Sequence, residues 1–449
     1  MRGEMGSAPG HHDAGKKKPP IDASKIIELA DEDFEIEENL EGPEVRLQPD
    51  TTEEEELSGA DIIESHEIPK PVGEVTSKSI NSPLHPGHNE DAILGDHYRI
   101  AHELANPPVL KTSDVARDLA AVRRAGETEL QLSSRLNERQ VHAVLDGMEG
   151  KKKNGSGYIA SRLSSASIAE VIAEMPIDAN AEMTRQSFEN ALMAAHQTVS
   201  EYKVGKGEEF ADMGTTADLI RTIETENAVV VGHIGDGRVY HFDSATGRLA
   251  QKTEDDGAAK YLRDRKQIDQ EDFDRIMNAS GVGDFDDNEN TTPAASEKNK
   301  KLRYLFGKRN QLASTIGNPS PDGKDPKPTT LVFTVKKGDL VFVVSDGIGD
   351  TLTNGTIEKI LRDGGGIEEL IAAVQKENQG GGRAKPDDVS ATMIEIGGKG
   401  ARQEAQARAL EQRQRDEQAL QARKNAALAP KPTESSGGVR GLWRKLFGG

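Results

Sequence analysis

The chain has 449 residues, a formal net charge of −20 and no cysteine, and only 4% of its residues are aromatic. The lack of cysteine excludes a disulfide framework, a cysteine-ligated zinc site and a thiol nucleophile. There is no run of about 18 apolar residues and no apolar secretory leader, so a soluble cytoplasmic protein is expected. The acidic balance argues against nucleic acid as a partner.

The acidic charge is concentrated near the start of the sequence. Residues 31–64 contain 15 Asp or Glu and a single basic residue, Arg46. A segment of this composition cannot bury enough apolar surface to offset its chain entropy, so residues 1–75 are predicted to form a disordered acidic arm. Two uses remain open for it, a solubilising tail or a docking arm for a basic partner.

Residues 76–397 are predicted to form one α+β domain. In chain order the apolar patterns predict a strand over 141–146, helices over 158–175 and 178–203, β-hairpins over 228–243 and 329–347, and a strand over 389–396. The turns of the two hairpins are placed at Gly235-Asp236-Gly237 and at 336–339. Strand-rich stretches with helices between them favour antiparallel sheets covered by helices.

Residues 255–310 interrupt this order. Their first part, 259–278, is charged and helical in pattern, and it is predicted to form a surface flap. The second part, 281–301, is polar and acidic, and it is predicted to be a disordered insertion.

The end of the chain, 398–449, differs from the rest in composition. Residues 401–428 are almost all good helix formers without a heptad pattern, which predicts a lone exposed helix. Residues 440–449 place Leu442, Trp443, Leu446 and Phe447 at helical spacing among basic residues. This segment is either a frayed terminus or a short amphipathic anchor for a membrane surface or a protein groove, which would give peripheral membrane association.

Acidic residues recur beside glycine or at the ends of predicted strands. They are Glu90, Asp91, Asp146, Asp236, Asp346, Asp350, Asp387 and Asp388. Any one of them fits ordinary turn chemistry, which leaves a binding module without a metal as one alternative. Carboxylates gathered at one rim, however, repel one another unless a cation neutralises them, and an oxygen-only ligand set suits Mg²⁺ or Mn²⁺. Two such ions can activate water for attack on a phosphoryl group, so the pattern favours a metal-assisted phosphoester hydrolase.

The order of the motifs resembles one known family. The motifs are NEDA (89–92), LDGMEG (145–150), MGTTA (213–217), HIGDGRVYHF (233–242), QKTEDDG (251–257), QLASTIGN (311–318), VVSDGIGD (343–350) and DDVSATMI (387–394). In this order they resemble the metal-dependent serine/threonine protein phosphatases of type 2C, the PPM family, and its bacterial members in particular. The resemblance implies a β-sandwich of two antiparallel sheets flanked by helices, with a metal centre at one end.

The resemblance also implies a role for each matched residue. The catalytic carboxylates would be Asp146, which bridges two metal ions, Asp346 and Asp387. The metal-binding set would be Glu90, Asp91, Asp146, Gly147 through its backbone carbonyl, Asp236, Asp346 and Asp387. Asp236 and Asp346 would share a third, weaker ion. The implied activity is Mg²⁺- or Mn²⁺-dependent hydrolysis of phosphoserine and phosphothreonine in proteins by metal-activated water.

The sequence departs from the family in several places. Pro86 stands where many members have an arginine that grips the substrate phosphate, and Arg99, Arg162 and His88 are candidates to replace it. Glu149 stands where the family usually has a second glycine. The stretch between the NEDA and LDGMEG motifs is longer than usual, with a charged helical pattern near 112–126. These departures keep open an alternative function, a catalytically weak or inactive PPM-like scaffold or sensor that binds metal and partner proteins.

Overall fold

The computed structural model describes residues 73–82, 89–95, 113–149, 155–279, 282–288, 291–308, 311–380 and 387–428. The predicted acidic arm up to residue 72 and the predicted amphipathic end, 440–449, lie outside the described residues. So do Pro86, His88 and Arg99, the residues discussed for the phosphate clamp.

The described strands form two five-stranded sheets and one short ladder. In spatial order the first sheet contains β1 (Gly73–Ile80), β12 (Val389–Ile396), β11 (Leu340–Val344), β8 (Arg238–Asp243) and β9 (Arg248–Gln251). The second contains β10 (Thr329–Thr334), β7 (Ala228–Ile234), β6 (Ala217–Ile223), β3 (Val141–Leu145) and β2 (Ala92–Leu94). The ladder pairs β4 (Gly147–Met148) with β5 (Gly214–Thr215). All of these pairings are antiparallel.

The described helices come mostly in groups between strands. They are α1 (Ser113–Glu138), α2 (Ser156–Ala173), α3 (Ala181–Lys203), α4 (Ala258–Asp264), α5 (Gln270–Asn278), α6 (Pro293–Gly307), α7 (Asp346–Gly349), α8 (Asn354–Arg362), α9 (Ile367–Gly380) and α10 (Ala401–Leu428). The predicted helices over 158–175 and 178–203 correspond to α2 and α3. Local side-chain caps mark several starts; the Asn180 side chain, for example, accepts a hydrogen bond from the Met183 N–H.

Alternating side chains explain why the sheets stack. In β11, Val341 and Val343 join an apolar cluster with residues of the second sheet, whereas Phe342 on the opposite face packs with α8 and α9. In β3, Val144 joins the same inner cluster, and Leu145 packs with α2 and α3 on the outer side. The result is a sandwich of two sheets with a helical layer on each outer face. The predicted α+β sandwich is therefore confirmed.

The two predicted hairpins are wrong in their pairing. The strands β7 and β8, which flank the Gly235–Gly237 turn, belong to different sheets, and so do β10 and β11. Each turn is a crossover from one layer of the sandwich to the other. A turn signal in the sequence reports that the chain reverses, but it does not report which sheet the next strand joins.

The predicted disordered insertion at 281–301 is also wrong in part. Helix α6 (Pro293–Gly307) begins within it, and Thr292 caps that helix by accepting a hydrogen bond from the Ala295 N–H. The helix packs Leu302 and Phe306 against Phe273 and Ile276 of α5. This contact could not be predicted from the polar composition of residues 281–301, because only a narrow face of α6 is apolar.

Two described elements lie at the ends of the predicted folded core. Strand β1 begins at Gly73, three residues before the predicted start of the folded core, and pairs along its whole length with β12. The helix predicted over 401–428 is α10. In the described part of the chain, no helix combines the length and the apolar character that crossing a bilayer requires.

Candidate metal centre

The predicted carboxylates flank strand ends that meet at one edge of the sandwich. In the second sheet, the first residue of β2, Ala92, pairs with the last residue of β3, Leu145. In the first sheet, Val344 at the end of β11 pairs with both Arg238 and Ala391, near the starts of β8 and β12. The residues just beyond these ends are therefore neighbours in space, and they include Asp91, Asp146, Asp236, Asp346, Asp387 and Asp388.

The loop that carries Glu90 is held by Asp388. One oxygen of the Asp388 carboxylate accepts a hydrogen bond from the Ser82 N–H at 2.5 Å, and the other accepts one from the Glu90 N–H at 2.7 Å. Asp388 is 1% exposed. Asp388 thus connects the end of β1, the Glu90 loop and the start of β12. The sequence shows only that Asp388 follows Asp387, so this structural role could not be predicted from it.

Helix α2 fixes the same loop from the other side. The Ser161 hydroxyl donates to the Glu90 carbonyl at 2.5 Å. The Arg162 guanidinium donates to the carbonyls of Asp91 and Asn89 at 2.8 and 3.4 Å. Arg162 is 4% exposed and stacks 4.5 Å from the Tyr158 ring centroid. It therefore positions the loop, and this buried placement does not support Arg162 as the replacement for the missing phosphate clamp.

Asp146 and Gly147 are held by backbone contacts. The Asp146 carbonyl accepts hydrogen bonds from the Thr216 N–H at 2.8 Å and from the Thr215 hydroxyl at 2.7 Å. A Cβ atom added to Gly147 would lie 2.3 Å from the Gly157 carbonyl oxygen and 2.6 Å from that of Glu90. Only glycine fits at this approach of three backbone segments.

The turn that carries Asp236 rests on buried charged groups. The Asp256 carboxylate accepts a hydrogen bond from the Gly235 N–H at 3.3 Å and pairs with Lys260 of α4 at 2.5 Å. Behind it, the His233 ring contacts the Asp218 carboxylate at 2.7 Å. Burial alone lowers the pKa of His233, but the charge of Asp218 and the hydrogen bond to it raise this pKa to about 9. Asp236 thus sits on a turn linked directly to the flap.

Arg238 anchors the helix that begins with Asp346. Its buried guanidinium pairs with Asp255 at 2.5 Å and with Asp350 at 3.0 Å, and it donates to the Gly349 carbonyl. The start of the helix also approaches β12 closely, because a Cβ atom on Gly347 would lie 2.1 Å from the Asp388 carbonyl oxygen. These contacts bring Asp346 beside the Asp387–Asp388 pair. Arg238 is not among the residues predicted for the site, although it lies within the HIGDGRVYHF motif.

Burial and neighbouring carboxylates raise the pKa values of two acidic residues at this edge. Burial raises the pKa of Glu90 to about 10, with further contributions from Glu149, Asp388 and Asp387. Burial likewise raises the pKa of Asp91 to about 8, and the charges of Asp388, Asp387 and Asp346 add to the increase, opposed by a hydrogen bond from Ser390. The Glu90 side of the edge is therefore short of positive charge.

The donor set fits a hard divalent cation, although the side chains do not surround a common point. Among the residues that the structure describes, no three His, Asp or Glu side chains are arranged closely enough to hold one ion. The groups at the edge are all oxygen donors, and Glu90 and Asp91 carry pKa values that a bound cation would lower. The chemistry of the donors thus suits Mg²⁺ or Mn²⁺.

Comparison with known proteins places the chain in a family. The sequence model described as protein phosphatase 2C matches residues 129–379, more than half of the chain. The chain belongs to the protein phosphatase 2C family. A comparison with curated proteins finds no match.

Several solved structures of bacterial phosphatases are similar to this phosphatase 2C chain. The Mycobacterium tuberculosis serine/threonine phosphatase PstP/Ppp is 18% identical, covering 72% of this chain and 98% of that chain, with a TM-score of 0.45. Stp1 from Staphylococcus aureus is 18% identical, covering 75% and 99%, with a TM-score of 0.47. A structure of the PstP catalytic domain contains two manganese ions; it is 18% identical, covers 72% and 97%, and has a TM-score of 0.42.

Proposed function

We propose that this protein phosphatase 2C member hydrolyses phosphoserine and phosphothreonine in proteins, in a reaction that depends on Mg²⁺ or Mn²⁺. The observation that carries the proposal is the convergence of acidic residues from five separate chain segments at strand ends along one edge of the sandwich. Family membership and the manganese ions of a similar structure support it. Phosphorylated proteins are the substrates that this activity requires.

The proposed metal-binding residues follow the family pattern. Asp146 would hold two ions, Gly147 would contribute its backbone carbonyl, and Asp346 and Asp387 would complete the set, with Glu90 and Asp91 beside them. Asp236, with Asp346, would hold a third ion. Bound Mg²⁺ or Mn²⁺ would neutralise the edge, polarise the phosphoryl group and activate water for in-line attack.

The chain's own contribution is to hold these carboxylates in place. Asp388 and Arg162 fix the Glu90 loop through main-chain hydrogen bonds, and Arg238 fixes the helix that begins with Asp346. Such supporting hydrogen bonds set the orientation of metal ligands and their affinity for the ion. The hydrogen bonds of Asp388 and Arg162 and the buried salt bridges of Arg238 are thus best explained as contacts that position the site.

The test of substrate class is a panel of phosphopeptides presented to the full-length protein. We expect release of phosphate from phosphoserine and phosphothreonine peptides when Mn²⁺ is present, and none after EDTA. The Asp346→Asn variant should lose at least about 100-fold in rate, because a direct ligand is neutralised. Metal-independent turnover, or wild-type rates in the variant, would contradict the proposal.

A second candidate function is a scaffold or sensor that binds metal and partner proteins without efficient catalysis. This function is favoured by the lack of the usual arginine that grips the substrate phosphate. Pro86 stands at that position, and Arg162 is buried against main-chain carbonyls. Titration calorimetry with Mn²⁺ on the same protein separates the two functions. Metal binding without turnover of any phosphopeptide would support the scaffold, and turnover would reject it.

A further inference from the structure

Strand β10 leaves one edge of the second sheet open. Within the described part of the chain it pairs with β7 alone. The Val335 N–H donates to the carbonyl of Asn227, which is opposite it in the same register, so these two residues form a hydrogen-bonded pair. Such pairs alternate with non-bonded pairs along antiparallel strands. The backbone N–H and C=O groups of Thr330, Val332 and Thr334 therefore point away from β7.

The other edge strands of the two five-stranded sheets are protected, whereas β10 is not. Strand β2 is only three residues long, and β1 and β9 contain the charged residues Lys78 and Arg248. Short strands and charged residues are common means by which a sheet edge avoids pairing with another chain. The six residues of β10 include no charged residue and no proline, and Val332 is 45% exposed. This edge can therefore accept a further strand.

The open edge leads to the candidate metal centre. Thr329, at the start of β10, pairs with His233 of β7, and β7 leads directly into the turn that carries Asp236. A cavity of about 370 Å³ borders both Thr329 and Asp256, whose carboxylate holds that turn. A strand added antiparallel to β10 would have its C-terminal end at this cavity, and the chain that follows it would continue toward the acidic edge.

The charges beside the open edge favour an acidic partner. Lys252 lies 4.8 Å from the ring centroid of Phe333 in β10. Lys327 precedes the strand and Lys336 follows it, and both are exposed. Antiparallel pairing of β10 with the same strand of a second copy would bring Lys327 of one copy toward Lys336 of the other, and such like charges destabilise a strand pair. An extended segment with acidic residues would meet the lysines with opposite charge.

We propose that the β10 edge docks an extended, acidic segment of the phosphoprotein substrate. The segment adds as a strand antiparallel to β10, and the phosphorylated residue lies on its C-terminal side. Hydrogen bonds to the outward backbone groups of Thr330, Val332 and Thr334 supply affinity, and the neighbouring lysines select acidic side chains. The inference rests on the proposed phosphatase function and adds a docking surface outside the metal centre.

The experiment compares two synthetic phosphopeptides in an Mn²⁺-dependent phosphatase assay of the full-length protein. One contains phosphoserine in a short neutral sequence. The other has the same sequence and, on its N-terminal side, a segment as long as β10 in which valine alternates with glutamate. We expect the added segment to lower KM by on the order of tenfold with little change in kcat, because docking raises the local concentration of phosphoserine at the metal centre.

Val332→Pro tests whether the open edge causes this difference. Proline removes the outward N–H of this residue, whereas the hydrogen bonds to β7 are made by its neighbours, so the KM values of the two peptides should become equal. Val332→Ala is the matched control, because it also shortens the exposed side chain but keeps the N–H, and it should retain most of the difference. Thermal melting shows whether each variant is folded. If Val332→Pro does not fold, Thr334→Pro removes the next outward N–H and is decided by the same criterion.

Equal KM values for the two peptides in the wild type, or a difference that survives in the folded proline variant, would overturn the docking surface. A wild-type dimer that becomes monomeric in Val332→Pro would assign the edge to a second copy and would also reject the proposal. The failure of the proposed function is distinguishable, because it would leave both peptides without phosphate release. Fluorescence anisotropy of the labelled, unphosphorylated segment then decides the docking surface: binding that is lost in Val332→Pro supports it, and no binding to the wild type rejects it.

Discussion

The contact between Gly147 and Gly157 is a close backbone approach at the acidic edge. A Cβ atom on Gly157 would lie 2.8 Å from both the carbonyl carbon and the oxygen of Gly147. Both are main-chain atoms held by neighbouring strands, so the strain cannot be relieved by turning a side chain. The approach of α2 to Gly147 therefore depends on a residue without a side chain.

We predict that Gly157→Ala lowers the free energy of unfolding by about 1–3 kcal/mol, the usual range for an overpacked interior. The Gly307→Ala variant is the matched control, because no atom lies within 4 Å of its added Cβ and alanine favours a helix. Urea unfolding of both variants measures the effect. Equal stabilities for the two variants would show that the approach of α2 to Gly147 is not tight in solution.

His142 provides a test of burial by pH. It is 8% exposed within β3, and burial lowers its pKa to about 4 from the ordinary value of 6.5. In the unfolded chain the ring binds a proton below about pH 6.5, whereas in the folded protein it does so only below about pH 4. The contribution of neutral His142 to the free energy of unfolding is thus fully present above pH 6.5, and it is lost as the pH falls toward 4.

We expect His142→Leu to reduce the loss of stability between pH 7 and pH 4 by up to on the order of 3 kcal/mol relative to the wild type. Urea unfolding at several pH values measures this difference. The other titrating groups are common to both proteins, so only the difference between them reports on His142. Parallel pH profiles would mean that the ring is protonated inside the folded protein.

At the scale of the elements, the flap has an apolar cluster of its own. Phe273 and Ile276 of α5 pack with Leu302 and Phe306 of α6, separately from the clusters that join the two sheets and their covering helices. Because the cluster is separate, a cavity within it should loosen the flap before it affects the sandwich.

We predict that Phe306→Ala lowers the local stability of the flap by about 3–5 kcal/mol, the usual cost of removing a buried phenylalanine. Hydrogen exchange should then speed up in α5 and α6, while β6, β7 and β11 keep wild-type protection. Leu410→Ala, at an exposed position of α10, is the control and should change neither region. A uniform loss of protection across all of these elements would contradict a separately packed flap.

The elements could be predicted from the sequence more reliably than their pairing. Helices α2 and α3 follow from an apolar spacing of 3.6 residues, and β3 and β12 follow from short apolar runs, because these patterns are local. The partners of β7, β8, β10 and β11 are set by residues far away along the chain. Local turn signals therefore led to hairpins where the structure has crossovers between sheets.

Only the beginning of helix α1, in the long stretch between the NEDA and LDGMEG motifs, could be predicted from the sequence. A charged helical pattern near 112–126 predicts its beginning, but α1 extends to Glu138 and packs along α2. In that packing the buried Glu129 carboxylate accepts a hydrogen bond from the Ser165 hydroxyl at 2.5 Å. Such a polar contact between helices leaves no periodic signal in either sequence segment.

At the scale of the whole molecule, the order of motifs predicts which acidic residues belong to one site, and their roles in that site stay predictions. The antiparallel register brings residues as distant as Asp91 and Asp387 to the same edge. The burial of Arg162 against the carbonyls of Asn89 and Asp91 could not be predicted, because side-chain neighbours depend on the packing of α2. The roles of the acidic arm and of residues 440–449 stay predictions.

The charge of the chain therefore has two separate parts. Residues 31–64 contribute −14 to a formal net charge of −20, and they lie outside the described residues. The acidic residues at the edge of the sandwich are few, and burial together with neighbouring carboxylates raises the pKa values of two of them, Glu90 and Asp91. The central claim is that this small group binds divalent metal for phosphoester hydrolysis.

The most direct test of that claim is Mn²⁺-dependent hydrolysis of p-nitrophenyl phosphate by the wild type, Asp146→Asn and Asp416→Asn. Asp416 is an exposed residue of α10, so its variant controls for the loss of one negative charge. We expect Mn²⁺-dependent turnover in the wild type and in Asp416→Asn, and none above background in Asp146→Asn. Equal turnover in all three proteins, or turnover that persists in EDTA, would contradict it.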